Sequence, residues 1–99
     1  MRGHYILEGH TPVSCDLMTW GRSLTLHNRI VKKEAIGDSL VSTVFLGLDH
    51  EAGNEPPLLF ETLVFEGPLA DEMDRYSTWE QAEQGHAAMV ERVKNQVER

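Results

Sequence analysis

The apolar positions of this chain follow two periods, and the changes between them mark its elements. Tyr5-Ile6-Leu7 is a short apolar run closed by Glu8-Gly9-His10-Thr11-Pro12, which predicts a first strand and then a turn. Asp16 suits a helix N-cap, because its carboxylate can accept the orphan N–H groups of a first turn. From there Leu17, Trp20, Leu24, His27 and Val31 recur at spacings of 3, 4, 3 and 4, one face of a helix. Gly21 inside that span costs about 1 kcal/mol against alanine. Either the packing there is close or the helix is shorter than the pattern.

Ile30 to Ile36 reads as a strand. Its Lys32, Lys33 and Glu34 are the charges of a sheet edge, where lysine blocks unwanted pairing. Gly37-Asp38 fits a two-residue hairpin turn in which glycine supplies the positive φ. Leu40 to Leu48 is rich in β-branched residues and is the clearest strand. One of its faces carries Leu40, Ser42, Val44, Leu46 and Leu48; the other carries Val41, Thr43, Phe45 and Gly47. Residues 49–57 form a loop ended by Pro56-Pro57, and Leu58 to Phe65 is a further strand. These three strands predict an antiparallel meander.

After Gly67-Pro68, residues 66–74 read as a polar loop. Ser77 with Glu80, or Thr78 with Gln81, makes a capping box. The face Trp79, Ala82, His86, Met89, Val90, Val93, Val97 then keeps a helical period through Gly85. The expected fold is α+β: one domain over residues 1–99, in the order β-α-β-β-β-α. An antiparallel meander of three to four strands is covered by two amphipathic helices.

Composition sharpens this picture in one respect. Forty per cent apolar and 25% charged residues are the proportions of an ordinary globular protein, with a formal net charge of −7. In residues 1–50, Arg2, Arg22, Arg29, Lys32 and Lys33 balance Glu8, Asp16, Glu34, Asp38 and Asp49. The whole net charge therefore lies in the second half. Such a segment repels phosphate backbones, so direct nucleic-acid binding is not expected. It is either a solvated face or an acidic surface offered to a basic partner. No apolar stretch approaches a membrane span, and the first apolar run is too short for a signal-peptide core. The lone Cys15 cannot close an internal disulfide, so a cytoplasmic location is expected.

No familiar catalytic, phosphate-binding or metal-binding signature is present, and no cofactor or metal is expected. Thr19-Trp20 and Thr78-Trp79 are each followed, seven residues after the tryptophan, by a histidine: His27 and His86. That interval is about two helical turns, so each histidine shares its tryptophan's face. One reading is a pocket rimmed by Trp20, His27, Trp79 and His86, with Arg22 or Arg29 close by, suited to an anionic or nucleotide-like ligand. The other is helix packing. Glu61 alternates onto one sheet face with Leu59, Leu63 and Phe65, where a carboxylate is costly unless paired. It suits a ligand contact or an acid–base pair with His86. It also suits a cross-strand pair with Lys32 or Lys33.

The chain resembles a family of small bacteriophage and prophage proteins to which no activity is attached. The resemblance rests on residues 5–13 (Tyr-Ile-Leu-Glu-Gly-His-Thr-Pro-Val) and on Asp16-Leu17-Met18-Thr19-Trp20. It continues through residues 41–50 (Val-Ser-Thr-Val-Phe-Leu-Gly-Leu-Asp-His), Pro56-Pro57-Leu58-Leu59-Phe60-Glu61-Thr62 and Tyr76-Ser77-Thr78-Trp79. It implies context and no catalytic residue: small acidic phage proteins are often accessory factors that bind host proteins or host signalling molecules. The expectation is a non-enzymatic accessory protein in the host cytoplasm. It counters host defence by sequestering a nucleotide-like anionic ligand or a host protein, and its sheet's second apolar face pairs with further copies as a dimer or larger oligomer. A small Glu61/His86 enzyme and a structural phage component are the rival expectations.

Overall fold

Two glycine-led turns organise the strands. The computed structural model describes residues 3–25, 29–49 and 56–97, with Val97 described by its backbone alone. The first hairpin joins β1 (His4–Glu8) to β2 (Thr11–Cys15); the second joins β3 (Ile30–Ile36) to β4 (Ser39–Phe45). Glu8 pairs with Thr11 and Ile36 with Ser39, so both loops hold two residues, with Gly9 at φ 62° and Gly37 at φ 59°. The Gly37-Asp38 turn is as read from the sequence, whereas β2 stands where only a turn was expected. Pro12 is tolerated there because it pairs with Leu7, one step from the hydrogen-bonded Glu8–Thr11 pair. Its missing N–H therefore faces away from β1.

The larger sheet is an antiparallel meander, β3-β4-β5-β6, with β5 at Phe60–Phe65 and β6 at Met73–Tyr76. The sixth strand lies in and just beyond the expected polar loop. It is short, charged and at the sheet edge, where charge opposes unwanted pairing. The element order is thus β-β-α-β-β-β-β-α.

The two helices do different work. The long α2 (Trp79–Val97) packs on all four meander strands and buries Trp79, Ala82, His86, Met89, Val90 and Val93, the face read from the sequence. Its first turn is held by Gln81 Oε1, which accepts the Ser77 and Thr78 N–H groups, while Thr78 Oγ1 accepts the Gln81 N–H at 3.1 Å. Gly85 lies against the Tyr76 ring, so closely that a Cβ would fall inside it. A glycine in mid-helix is what lets β6 approach. None of the helices among the described residues is long and apolar enough to cross a membrane.

The short α1 (Leu17–Ser23) does not cover the meander as expected. Its main packing is against β1, and Leu17, Met18 and Leu24 are exposed. Asp16 does cap it, with Oδ1 accepting the Thr19 N–H at 2.7 Å. The predicted helical face runs out because Ser23 Oγ donates to Trp20 O (2.5 Å) and Thr25 Oγ1 to Arg22 O (3.1 Å). These hydroxyls engage the last-turn carbonyls and favour a turn over continuation.

Hydrophobic packing beneath α2 falls into two clusters. One holds Leu7, Phe45, Leu59, Phe60, Trp79 and Ala82; the other holds Val41, Val64, Met89, Val90 and Val93. Thr43, Thr62 and His86 occupy the register positions between them. The opposite face of the meander is covered by neither helix over Phe65 (46% exposed) and Met73 (47%).

Candidate functional site

The first hairpin is tied to the meander at Gly47. The Tyr5 N–H donates to Gly47 O at 2.7 Å, and the Asp49 N–H to Gly3 O at 3.1 Å. This docking lays Ile6 and Leu7 beside Phe45 and brings α1 over the end of β4. Trp20 Nε1 and Arg29 Nη2 both donate to Leu46 O, at 3.3 and 2.9 Å. Arg29 Nη1 also donates to Ser23 Oγ at 3.4 Å.

A cleft of about 250 Å³ opens between these parts. Ile6, Leu7 and Phe45 supply its apolar lining; Thr19, Arg22, Ser23 and Arg29 supply its polar groups. Among the described residues no carboxylate lines it. The Arg29 guanidinium stands 6.0 Å from the Phe45 ring centroid, within cation–π range. Burial pushes its pKa down from the ordinary arginine value, yet an arginine stays charged at neutral pH. Arg22, in the last turn of α1, makes no side-chain hydrogen bond to a described residue. The cleft therefore joins two cations, Arg29 held by hydrogen bonds and Arg22 at the end of α1, to an apolar floor, which suits an anion carrying an apolar body.

A second polar constellation lies beneath α2. His86 is 1% exposed, and its Nδ1 and Thr43 Oγ1 lie 2.7 Å apart, while its Nε2 is 3.0 Å from Glu34 Oε1. Thr43 Oγ1 and Thr62 Oγ1 are 2.5 Å apart, and the Tyr76 hydroxyl donates to Thr62 at 3.2 Å. The protons assign themselves in one direction along this chain. Tyr76 donates to Thr62, Thr62 to Thr43, Thr43 to Nδ1, and Nε2–H to the Glu34 carboxylate. A doubly protonated His86 would reverse the Thr43 and Thr62 donors and cost Thr62 its acceptor within the chain. Neutral His86 with its proton on Nε2 satisfies every member.

Thr43, His86 and Glu34 have the connectivity of a hydroxyl–imidazole–carboxylate triad. Thr43, however, is 0% exposed, so its hydroxyl meets no substrate. The chain is a buried polar seam through the core.

At the outer end of the seam, Lys32 Nζ lies 3.3 Å from Glu34 Oε1. Burial pushes the Glu34 carboxyl up, but hydrogen bonds from Lys32 and His86, with the Lys32 charge, outweigh it. The net position is below the ordinary 4.5. The stabilisation is therefore fully present above the unfolded-state value and lost as pH falls through the lowered folded one. In thermal melts taken from neutral pH down into the carboxylate range, wild type should lose more midpoint temperature than Glu34→Gln. Parallel curves would show that Glu34 carries none of the acid sensitivity.

The residues singled out in the sequence do not form one site. Trp20, Arg22 and Arg29 meet at or beside the cleft. His27 lies outside the described residues. Trp79 is stacked under His10, ring centroids 3.7 Å apart and planes 3° apart, and its other side meets Phe60 edge-on. His86 is in the seam. Glu61 pairs with Arg75, with Oε2 3.1 Å from Nε, rather than with Lys32 or Lys33. Glu61 adjoins Thr62 in β5 and points to the opposite sheet face, so Glu61 and His86 do not meet. Sequence reasoning passed over Glu34, Thr43, Thr62 and Tyr76. Its one available signal was a threonine at the centre of an apolar face in each of two adjacent strands.

No cluster of three or more His, Cys, Asp or Glu residues that could hold a metal ion occurs among the described residues. Comparisons with protein-family models, with curated proteins and with solved structures find no match to this chain.

Proposed function

We propose that the protein is a non-enzymatic binding protein that sequesters a small anionic ligand in the cleft between the first hairpin, α1 and Phe45. The cleft itself carries this reading: among the described residues, two guanidinium groups and no carboxylate surround an apolar floor. In a chain of net charge −7, it is a local reversal of sign that draws anions. The hydroxyl and imidazole that would serve an enzyme, those of Thr43 and His86, are sealed in the core. With the phage-like resemblance, this supports an accessory role in the host cytoplasm, in which the ligand is a host signalling anion withheld from a defence system. Titration calorimetry against a panel of small anions, nucleotides and inorganic phosphate included, should give saturable binding that weakens with salt. Heatless titrations across the whole panel would sink the reading.

The open sheet face favours a second copy of the chain as partner. Its exposed Phe65 and Met73 share this face with a Glu61 that is already paired with Arg75, so two copies can meet there without leaving that carboxylate unpaired. Lys33, on the same face by register, keeps this surface less acidic than the rest. Sedimentation equilibrium should report a dimer that Phe65→Lys converts to monomer; a wild-type monomer would remove this partner.

A further inference from the structure

Building on the proposed anion-binding role, we infer that the ligand of the cleft is a compact carboxylic acid with an aryl or medium-length aliphatic body, and that Arg22 and Arg29 grip its carboxylate. Three observations narrow the class.

The first is size. At about 250 Å³ the cleft falls just below the usual range of small-molecule sites, roughly 300–1,000 Å³. It holds one ring or a short chain with its head group.

The second is the supply of polar partners. A sugar phosphate brings many oxygens, each needing a donor or acceptor once out of water. Among its described residues the cleft offers few. Ser23 Oγ is already committed, donating to Trp20 O and accepting from Arg29 Nη1. Two Arg29 N–H groups are held by Leu46 O and Ser23. What remains is the rest of the Arg29 fork, the Arg22 fork and the Thr19 hydroxyl. That set is enough for one carboxylate, which Arg matches in a bidentate manner.

The third is the absence of a stacking platform among the described residues. A nucleobase needs an open aromatic face. Neither tryptophan lines the cleft: Trp20 is anchored to Leu46 O and tilted against His4, and Trp79 lies under His10. Phe45 meets Phe60 at 5.1 Å and has the Arg29 guanidinium over its ring. With Ile6 and Leu7 it offers a hydrocarbon wall, which suits a methylene chain or a phenyl edge.

The two cations have separate tasks in this site. Arg29 is preorganised, because Leu46 O and Ser23 fix its plane before any ligand arrives. Arg22 sits at the rim on the short helix and closes on the carboxylate from outside. The acid therefore enters body first, with its charge left near the mouth.

The test is a calorimetric and NMR titration of the full chain with butanoate, hexanoate, octanoate and benzoate. Hexan-1-ol, AMP and inorganic phosphate are the controls. Affinity should rise by about fourfold per methylene until the floor is covered, the factor expected for burying one CH₂. Resonances of Ile6, Leu7, Thr19 and Phe45 should shift. Arg22→Gln, on an exposed helix position that the fold does not depend on, should weaken hexanoate about tenfold or more. It should leave hexan-1-ol unaffected. Binding of AMP or phosphate without the acids would overturn this inference and leave the anion-binding role standing. No binding by any anion would overturn both. Equal affinity for hexanoate and hexan-1-ol, or hexanoate binding unchanged in Arg22→Gln, would show that no carboxylate grip exists.

Discussion

Gly47→Ala should lower the stability of the protein by about 3 kcal/mol. Two costs combine. Gly47 has φ +70°, a left-handed conformation that charges a residue with a Cβ about 1–2 kcal/mol. The Cβ would also stand 2.5 Å from the Tyr5 carbonyl oxygen and 2.9 Å from Trp20 Nε1. The first of these is backbone and cannot swing aside, so overpacking adds about 1–3 kcal/mol. A chain of this size is stable by about 5–15 kcal/mol, so the loss is a large share of the total. The damage should be local before it is global, because the same residue accepts the Tyr5 N–H that docks the first hairpin. Urea unfolding followed by circular dichroism measures the loss. Hydrogen exchange at Tyr5 should speed up well beyond exchange in β4 and β5. A variant with wild-type stability and protection would mean that Gly47 is not the docking point.

Thr43→Val has the second largest expected effect and a more telling pattern. Valine keeps the shape and removes the hydroxyl between Thr62 and His86. His86 Nδ1 is left without its donor and Thr62 without its acceptor, both inside the core. Each buried orphan costs about 1–3 kcal/mol, so a loss of about 3 kcal/mol is expected. Adding Thr62→Val and His86→Leu removes both fully buried orphans and leaves only the partly exposed Tyr76 hydroxyl and the Lys32-paired Glu34 at the two ends of the chain. The triple variant should therefore recover part of the loss, since apolar replacement of a whole buried network is close to neutral. Chemical denaturation of single and triple variants decides it. A triple variant worse than the sum of the single changes would show that the seam stabilises the fold outright.

Much of the fold was legible in the chain. The Gly37-Asp38 turn, the β3–β4–β5 meander and the α2 face from Trp79 through Val93 all follow from local period and turn chemistry, which act within a few residues. What was hidden depends on register. Pro12 conceals β2 because a proline usually breaks a strand, and only its position opposite Leu7, off the ladder's hydrogen bonds, makes it harmless. The acids around β6 conceal an edge strand in what looks like a loop. Helix α1 carries a full amphipathic pattern but stops at Ser23, where side-chain hydroxyls take its carbonyls.

The site was legible only in pieces. Arg22 and Arg29 stand out as cations in the charge-balanced half, but their floor comes from Ile6, Leu7 and Phe45, which meet only because β1 docks at Gly47. Likewise His86 lies on the expected helical face, yet its partners Glu34 and Thr43 are 52 and 43 residues away. No local pattern encodes a contact of that span.

The hairpin tip has one practical consequence. His10 lies flat on Trp79, at the start of α2, while Trp20 hangs from Leu46 O beside the cleft. The chain's two tryptophans thus watch two different joints. Indole emission responds to its immediate surroundings, so a variant keeping only Trp20 gives an optical readout of cleft occupancy. One keeping only Trp79 reports whether the hairpin is clasped to the helix. The molecule carries its own pair of fluorescent gauges, one for binding and one for assembly of its layers.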